Sequence, residues 1–207
     1  MKTLIAVPCM DQVPAQFASS LAMLNRVGEC AVAFQVGSLI YSARNDLAKA
    51  AIKHEADFVM WFDSDMVFAP DTMQRMMKDY QDRKGDIICG LYFRRTAPYT
   101  PVLYEYFDIT AEGAFVVEPK KIPDDIFEVG GCGFGAVLMP TDVLMDVMAK
   151  YGPPFNPIQG NGEDLSFCWR ARECGYKIVC DPSIPLGHVG HQVINRQFYE
   201  AYQSQGG

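Results

Sequence analysis

Over residues 1–92, short unbroken apolar runs alternate with segments whose apolar positions recur at helical spacing. Residues 3–7 read as a buried strand. Residues 15–25 carry Phe17, Leu21 and Leu24 at a helix period. Residues 30–36 are strand-like, and 40–54 form a helix that turns Ala43, Leu47, Ala50 and Ala51 inward. The run Phe58-Val59-Met60-Trp61-Phe62 is apolar without alternation, as in a central parallel strand covered on both faces. Pro70 opens a further helix, in which Met73, Met76, Met77 and Tyr80 make a stripe that reads as core packing. Residues 87–92 supply a fourth strand. This βαβαβαβ order predicts an α/β fold with a twisted, mainly parallel sheet, right-handed crossovers and flanking helices.

The pattern changes after Arg95. Pro98, Pro101, Pro119 and Pro123 punctuate a Tyr- and Phe-rich stretch, which predicts a small antiparallel region of short strands and loops. Thr141 reads as the N-cap of a helix over 143–150 that ends at Gly152-Pro153-Pro154. A second helix is expected over 163–174, stopped by Gly175, and the segment after Gly187 is weakly helical. The chain has no internal repeat and no linker that would divide it, so 1–207 is expected to be a single domain.

Composition narrows the partners. The chain has 207 residues, 49% of them hydrophobic and 21% charged, which is ordinary globular composition. A net charge of −7 argues against a general nucleic-acid or anionic-membrane binder, since those need a basic surface. No apolar run approaches the roughly 18 residues that span a bilayer. The first apolar segment meets Pro8 too soon to be a secretory signal. Seven cysteines, odd in number and without a C-x-x-C pair, read as buried reduced thiols. Together these features point to a cytoplasmic protein.

The sharpest candidate chemistry is Asp63-Ser64-Asp65, directly after the apolar strand. Sixteen aspartates in 207 positions give about one D-x-D by chance, so the spacing alone is weak. Its place is informative: open α/β sheets bind ligands beyond the carboxyl ends of their strands. In an extended chain both carboxylates would point the same way, ready to share a metal–phosphate group.

In this order the chain resembles GT-A glycosyltransferases, family 2-like, over residues 3–191. The resemblance rests on Ala6-Val7-Pro8, Ser42-Ala43-Arg44-Asn45, Phe62-Asp63-Ser64-Asp65, Gly131-Cys132-Gly133-Phe134-Gly135, Gly162-Glu163-Asp164-Leu165-Ser166-Phe167 with Trp169 and Gly175, and Gly187-His188-Val189-Gly190. It implies a GT-A (Rossmann-like) domain, with residues 1–95 binding a nucleotide sugar and 96–207 binding the acceptor. It also implies transfer of a sugar from a UDP- or GDP-sugar to an acceptor hydroxyl.

By that resemblance Asp63, Asp65 and His188 would hold Mn²⁺ or Mg²⁺ on the diphosphate, with His188 fitting the histidine place better than His191. Two carboxylates and an imidazole suit Mn²⁺ better than Mg²⁺. Pro8, Arg44, Ser64 and Arg94 would contact the donor, and Arg95 would neutralise diphosphate or touch acceptor. The glycines 131, 133 and 135 would let backbone approach the sugar. In Glu163-Asp164, Asp164 would be the base of an inverting reaction, although the same layout also resembles retaining members. The helix N-terminus is expected to lower the Asp164 pKa, and partial burial would oppose this. The competing readings are a sugar-phosphate nucleotidyltransferase, which wants a glycine-rich basic loop where Pro8-Cys9-Met10-Asp11-Gln12 stands, and a non-catalytic nucleotide-sugar-binding module.

Overall fold

In a computed structural model that describes residues 1–37, 39–190 and 193–204, the first half follows the expected alternation. Its elements are β1 (Lys2–Cys9), α1 (Ala15–Met23), β2 (Glu29–Val36), α2 (Ile40–Lys53), β3 (Phe58–Phe62), β4 (Met66–Phe68), α3 (Thr72–Gln81) and β5 (Ile87–Gly90). Short strands then follow: β6 (Leu103–Tyr104), β7 (Tyr106–Thr110), β8 (Gly113–Val117), β9 (Phe127–Glu128), β10 (Gly131–Cys132) and β11 (Ala136–Pro140). The chain closes with α4 (Thr141–Tyr151), α5 (Glu163–Glu173), β12 (Ile178–Asp181), β13 (Leu186–Val189), β14 (Val193–Ile194) and α6 (Arg196–Ser204).

The main sheet has seven strands in the order β2-β1-β3-β11-β5-β12-β9. β1, β2, β3, β5 and β12 run one way, and β11 and β9 run against them. The fourth strand therefore does not pair with the third: β11 lies antiparallel between them, with Leu138 opposite Met60 on one side and Ile88 on the other. The apolar run of β3 is buried on both faces. Trp61 and Val59 join a cluster with Leu47, Phe134, Phe155 and Phe167, while Met60 and Phe62 join Phe17, Met73, Met76 and Met77. The methionine stripe is core.

Helix starts differ from expectation at two places. α3 begins at Thr72 rather than Pro70, whose carbonyl instead accepts from the Asn25 amide at 2.8 Å. Thr141 is the first helical residue of α4, not its cap: Pro140 occupies that position and the buried Thr141 hydroxyl has no partner. The physical reason is β11, whose pairing reaches Pro140 and holds the chain extended up to the helix. All seven cysteines are free thiols, and Cys9, Cys89, Cys132, Cys168 and Cys180 are buried. Among the described residues no helix is long and apolar enough to cross a membrane.

Candidate functional site

β3 ends at Phe62, and the chain turns at once, with the Met66 amide donating to the Asp63 carbonyl at 3.2 Å. Asp63 and Asp65 are thus not displayed on an extended strand, as expected, but fan out from a tight turn. Asp63 Oδ1 accepts from Arg44 Nη2 at 2.7 Å. Asp65 Oδ2 accepts from Arg95 Nη1 at 2.7 Å and lies 3.3 Å from His188 Nε2.

His188 reaches this turn through sheet register. β13 pairs antiparallel with β4, setting His188 opposite Met66, and the Val189 amide donates to the Asp65 carbonyl at 2.8 Å. The other ring nitrogen of His188 lies 2.9 Å from the Phe93 carbonyl, which fixes the ring's orientation. Burial is the largest single effect and disfavours the charge on both partners. Their mutual hydrogen bond and charge attraction, helped by Arg95 at Asp65 and by the Phe93 carbonyl at His188, together outweigh it: the Asp65 pKa is lowered and the His188 pKa raised.

Arg44 is the structural hub. It is 2% exposed on the inner face of α2, its guanidinium 5.0 Å from the Phe134 ring centroid. Nε donates to Glu163 Oε1 at 3.2 Å while Nη2 holds Asp63, so one side chain ties the end of β3 to the start of α5. Burial alone would disfavour its charge, but Asp63, Glu163 and Asp164 hold its pKa above the ordinary value. For Asp63 the balance tips the other way, and burial raises its pKa despite Arg44.

Glu163 and Asp164 open α5 as expected, in the first turn. The dipole argument for Asp164, however, loses. Burial and then the charge of Glu163 push its carboxyl up to about 6, although the Leu165 amide donates to Oδ1 at 2.7 Å.

A cleft of about 380 Å³ gathers Pro8, Arg44, Asp63, Ser64, Asp65, Glu163, Asp164 and His188 with Cys9, Met10, Gly37, Ile40 and Arg95. Its size suits a small-molecule ligand. Arg94 is the expected residue missing from it. Arg94 turns to Tyr104 and Glu118 at 3.4 Å, while Arg95, where the chain bends, enters the cleft. The glycines also play another part. A Cβ on Gly133 would stand 2.0 Å from Tyr92 Oη, one on Gly135 2.8 Å from the Tyr92 ring, and one on Gly131 2.8 Å from Leu165. Their missing side chains make room for Tyr92 and Leu165.

Sequence reasoning missed Tyr92, which is buried with its ring 5.5 Å from His188 and edge-on to it. Burial pushes its phenol well above the ordinary value. Nothing marks Tyr92 in the sequence; only the pair of glycines opposite it gives a signal. His191 lies outside the described residues.

No protein-family model matches the sequence, and no curated protein is found to be similar to it. Solved structures do match. The crystal structure of A197 from STIV aligns with a TM-score of 0.67 at 19% identity, covering 94% of each chain. GalNAc-T7, crystallised with UDP, GalNAc and Mn²⁺, aligns with a TM-score of 0.61 at 10% identity, over 91% of this chain and 44% of the other. The fold is GT-A-like. At these identities the likeness concerns the fold and leaves the chemistry to the residues.

Those residues bear directly on a divalent cation. Among the described residues no three His, Cys, Asp or Glu side chains converge as a ligand set, because Asp63 is turned to Arg44. Asp65 and His188 do form a two-donor pair of oxygen and nitrogen, open to the cleft. That donor chemistry fits a divalent ion which takes its other ligands from a bound anion.

Proposed function

We propose that the cleft binds a nucleoside-diphosphate sugar and that the chain transfers the sugar to an acceptor hydroxyl. The observation that carries this reading is the meeting, beyond the carboxyl end of β3, of the Asp65–His188 pair with a carboxyl of pKa about 6 on Asp164. The same cleft offers donors for a cation and a proton acceptor poised near neutral pH.

In this reading Asp65 and His188 hold a divalent cation, Mn²⁺ in preference to Mg²⁺. When bound, it supplies Lewis-acid stabilisation to the departing diphosphate. Arg95 balances Asp65 in the free chain and is placed to neutralise the diphosphate. Pro8, Cys9, Met10, Gly37 and Ile40 line the cleft wall formed by the ends of β1 and β2 and the start of α2, where base and ribose fit, and Ser64 lies between the two aspartates. Asp63, oriented by Arg44, accepts from ribose hydroxyls. Arg44 is then a positioning residue, not a direct phosphate ligand.

Asp164 takes the proton of the acceptor hydroxyl as its oxygen attacks the anomeric carbon. The bond from that carbon to the phosphate oxygen breaks, and its electron pair leaves with the nucleoside diphosphate. A base works best with a pKa near the operating pH, and burial brings Asp164 there. Glu163 adds to that shift by its charge. Direct displacement of this kind inverts the anomeric centre.

Titration calorimetry with UDP-, GDP- and CDP-sugars, with and without Mn²⁺, followed by a hydrolysis assay, tests the reading. Metal-dependent binding and slow hydrolysis of one donor class are expected. Binding without turnover of any donor would favour a non-catalytic binding module. Turnover of a nucleoside triphosphate with a sugar phosphate would favour a nucleotidyltransferase.

A further inference from the structure

β2 is an edge of the seven-stranded sheet, and its outer side carries no partner strand among the described residues. Edge strands in monomeric proteins are usually guarded by lysine, proline, a bulge or brevity. β2 has none of these. It pairs with β1 over eight residues without a break, and its sequence Glu29-Cys30-Ala31-Val32-Ala33-Phe34-Gln35-Val36 holds one charge, at its first position. Phe34 and Val36 are 45% and 58% exposed, and beside them Val13, Phe17, Leu21, Ala22 and Val32 line an apolar groove between β2 and α1.

The backbone says what kind of partner fits. The amides of Glu29 and Gly37 donate to the Met1 and Cys9 carbonyls of the β1 side, so odd-numbered residues of β2 address β1. In a parallel ladder the alternate residues point their N–H and C=O the other way. Cys30, Val32, Phe34 and Val36 therefore present both groups to the open edge.

We propose that this edge pairs with the β2 of a second copy of the chain, antiparallel about a two-fold axis at Ala33. In that register Cys30 pairs with Val36 of the second copy and Val32 with Phe34, so every outward N–H and C=O finds its complement. A shift by two residues in either direction leaves outward groups unpaired. Small alanines meet at the axis, Glu29 falls opposite Gly37, and no like charges are opposed along the strand. An isologous contact of this kind is closed, giving a dimer rather than a fibre.

The test is the mass in solution together with the register. Sedimentation of the full chain from micromolar to millimolar concentration should reveal a dimer. Phe34→Pro removes an outward N–H and the ring that lies edge-on to Phe17, but no hydrogen bond to β1, and should give a folded monomer. Cross-strand neighbours at a non-hydrogen-bonded position have Cα atoms about 4.5 Å apart, within disulfide reach. Ala33→Cys should therefore form an intersubunit disulfide on mild oxidation, while Ala31→Cys, four residues out of register with its own copy, should not. Circular dichroism confirms that each variant is folded. A wild-type chain that stays monomeric throughout overturns the proposal. So does a dimer that survives Phe34→Pro, or one in which Ala31→Cys crosslinks as readily as Ala33→Cys.

Discussion

A carboxylate at a helix N-terminus is stabilised in its ionised form by the backbone amides, yet burial and a neighbouring negative charge act in the opposite sense. At Asp164 the second pair of effects prevails, and the carboxyl titrates at about 6. Replacing Glu163 by Gln removes a charge that raises it and leaves Arg44 less engaged, and both changes favour ionisation. Carboxyl-carbon NMR of Asp164 should give a midpoint near pH 6 in the wild type and a lower one in Glu163→Gln. An unchanged midpoint would mean that the charge of Glu163 is not a cause.

A raised carboxyl pKa also fixes a sign for stability. The folded chain holds the Asp164 proton more tightly than the unfolded chain, so stability falls as pH rises from the ordinary carboxylate range through about 6. Asp164→Asn should therefore be more stable than wild type above pH 7, by on the order of 1–3 kcal/mol, with donor affinity near normal and transfer abolished. Calorimetric melting against pH checks the first part. Arg44 gives the opposite case. Arg44→Met strands Asp63 and Glu163 without their cation and should cost about 3–5 kcal/mol in denaturant unfolding. Arg44→Lys should not restore it, because one ammonium cannot reproduce the two-point grip.

Among elements, the strands and helices of the first half were legible because β1, α2, β3 and α3 are each covered by core on predictable faces. The pairing of β11 between β3 and β5 was not, since no local pattern records which strand will insert between two others. Asp63, Asp65, Asp164 and His188 were legible as motif residues at element ends. That only Arg95 of the pair Arg94-Arg95 enters the cleft was not, because it depends on which side of the backbone faces the cleft. The glycines after β9 were visible, but their partner Tyr92 was not. Gly135→Ala places a methyl group against the buried Tyr92 ring and should destabilise the fold by about 1–3 kcal/mol, measured by thermal melting. The aromatic contacts of α6, with Tyr199 stacked on Phe93 at 4.5 Å and Phe198 against Tyr99 at 5.0 Å, cover the segment after β5 from which the Phe93 carbonyl orients His188.

At the scale of the molecule, a chain of net charge −7 concentrates two arginines and a histidine around four carboxylates in one cleft. Residues from β1, α2, the turn after β3, α5 and β13 converge there, so the site is complete only when the sheet and the β4–β13 pairing are both formed. The negative surface repels a free nucleotide, and local cations with a divalent ion must overcome that repulsion. The most direct test is calorimetric titration of UDP into wild type and Asp65→Ala, each with and without Mn²⁺. Binding that needs Mn²⁺ in the wild type and is lost in Asp65→Ala is the expected result. Equal binding by both proteins, or binding indifferent to the metal, would contradict the account.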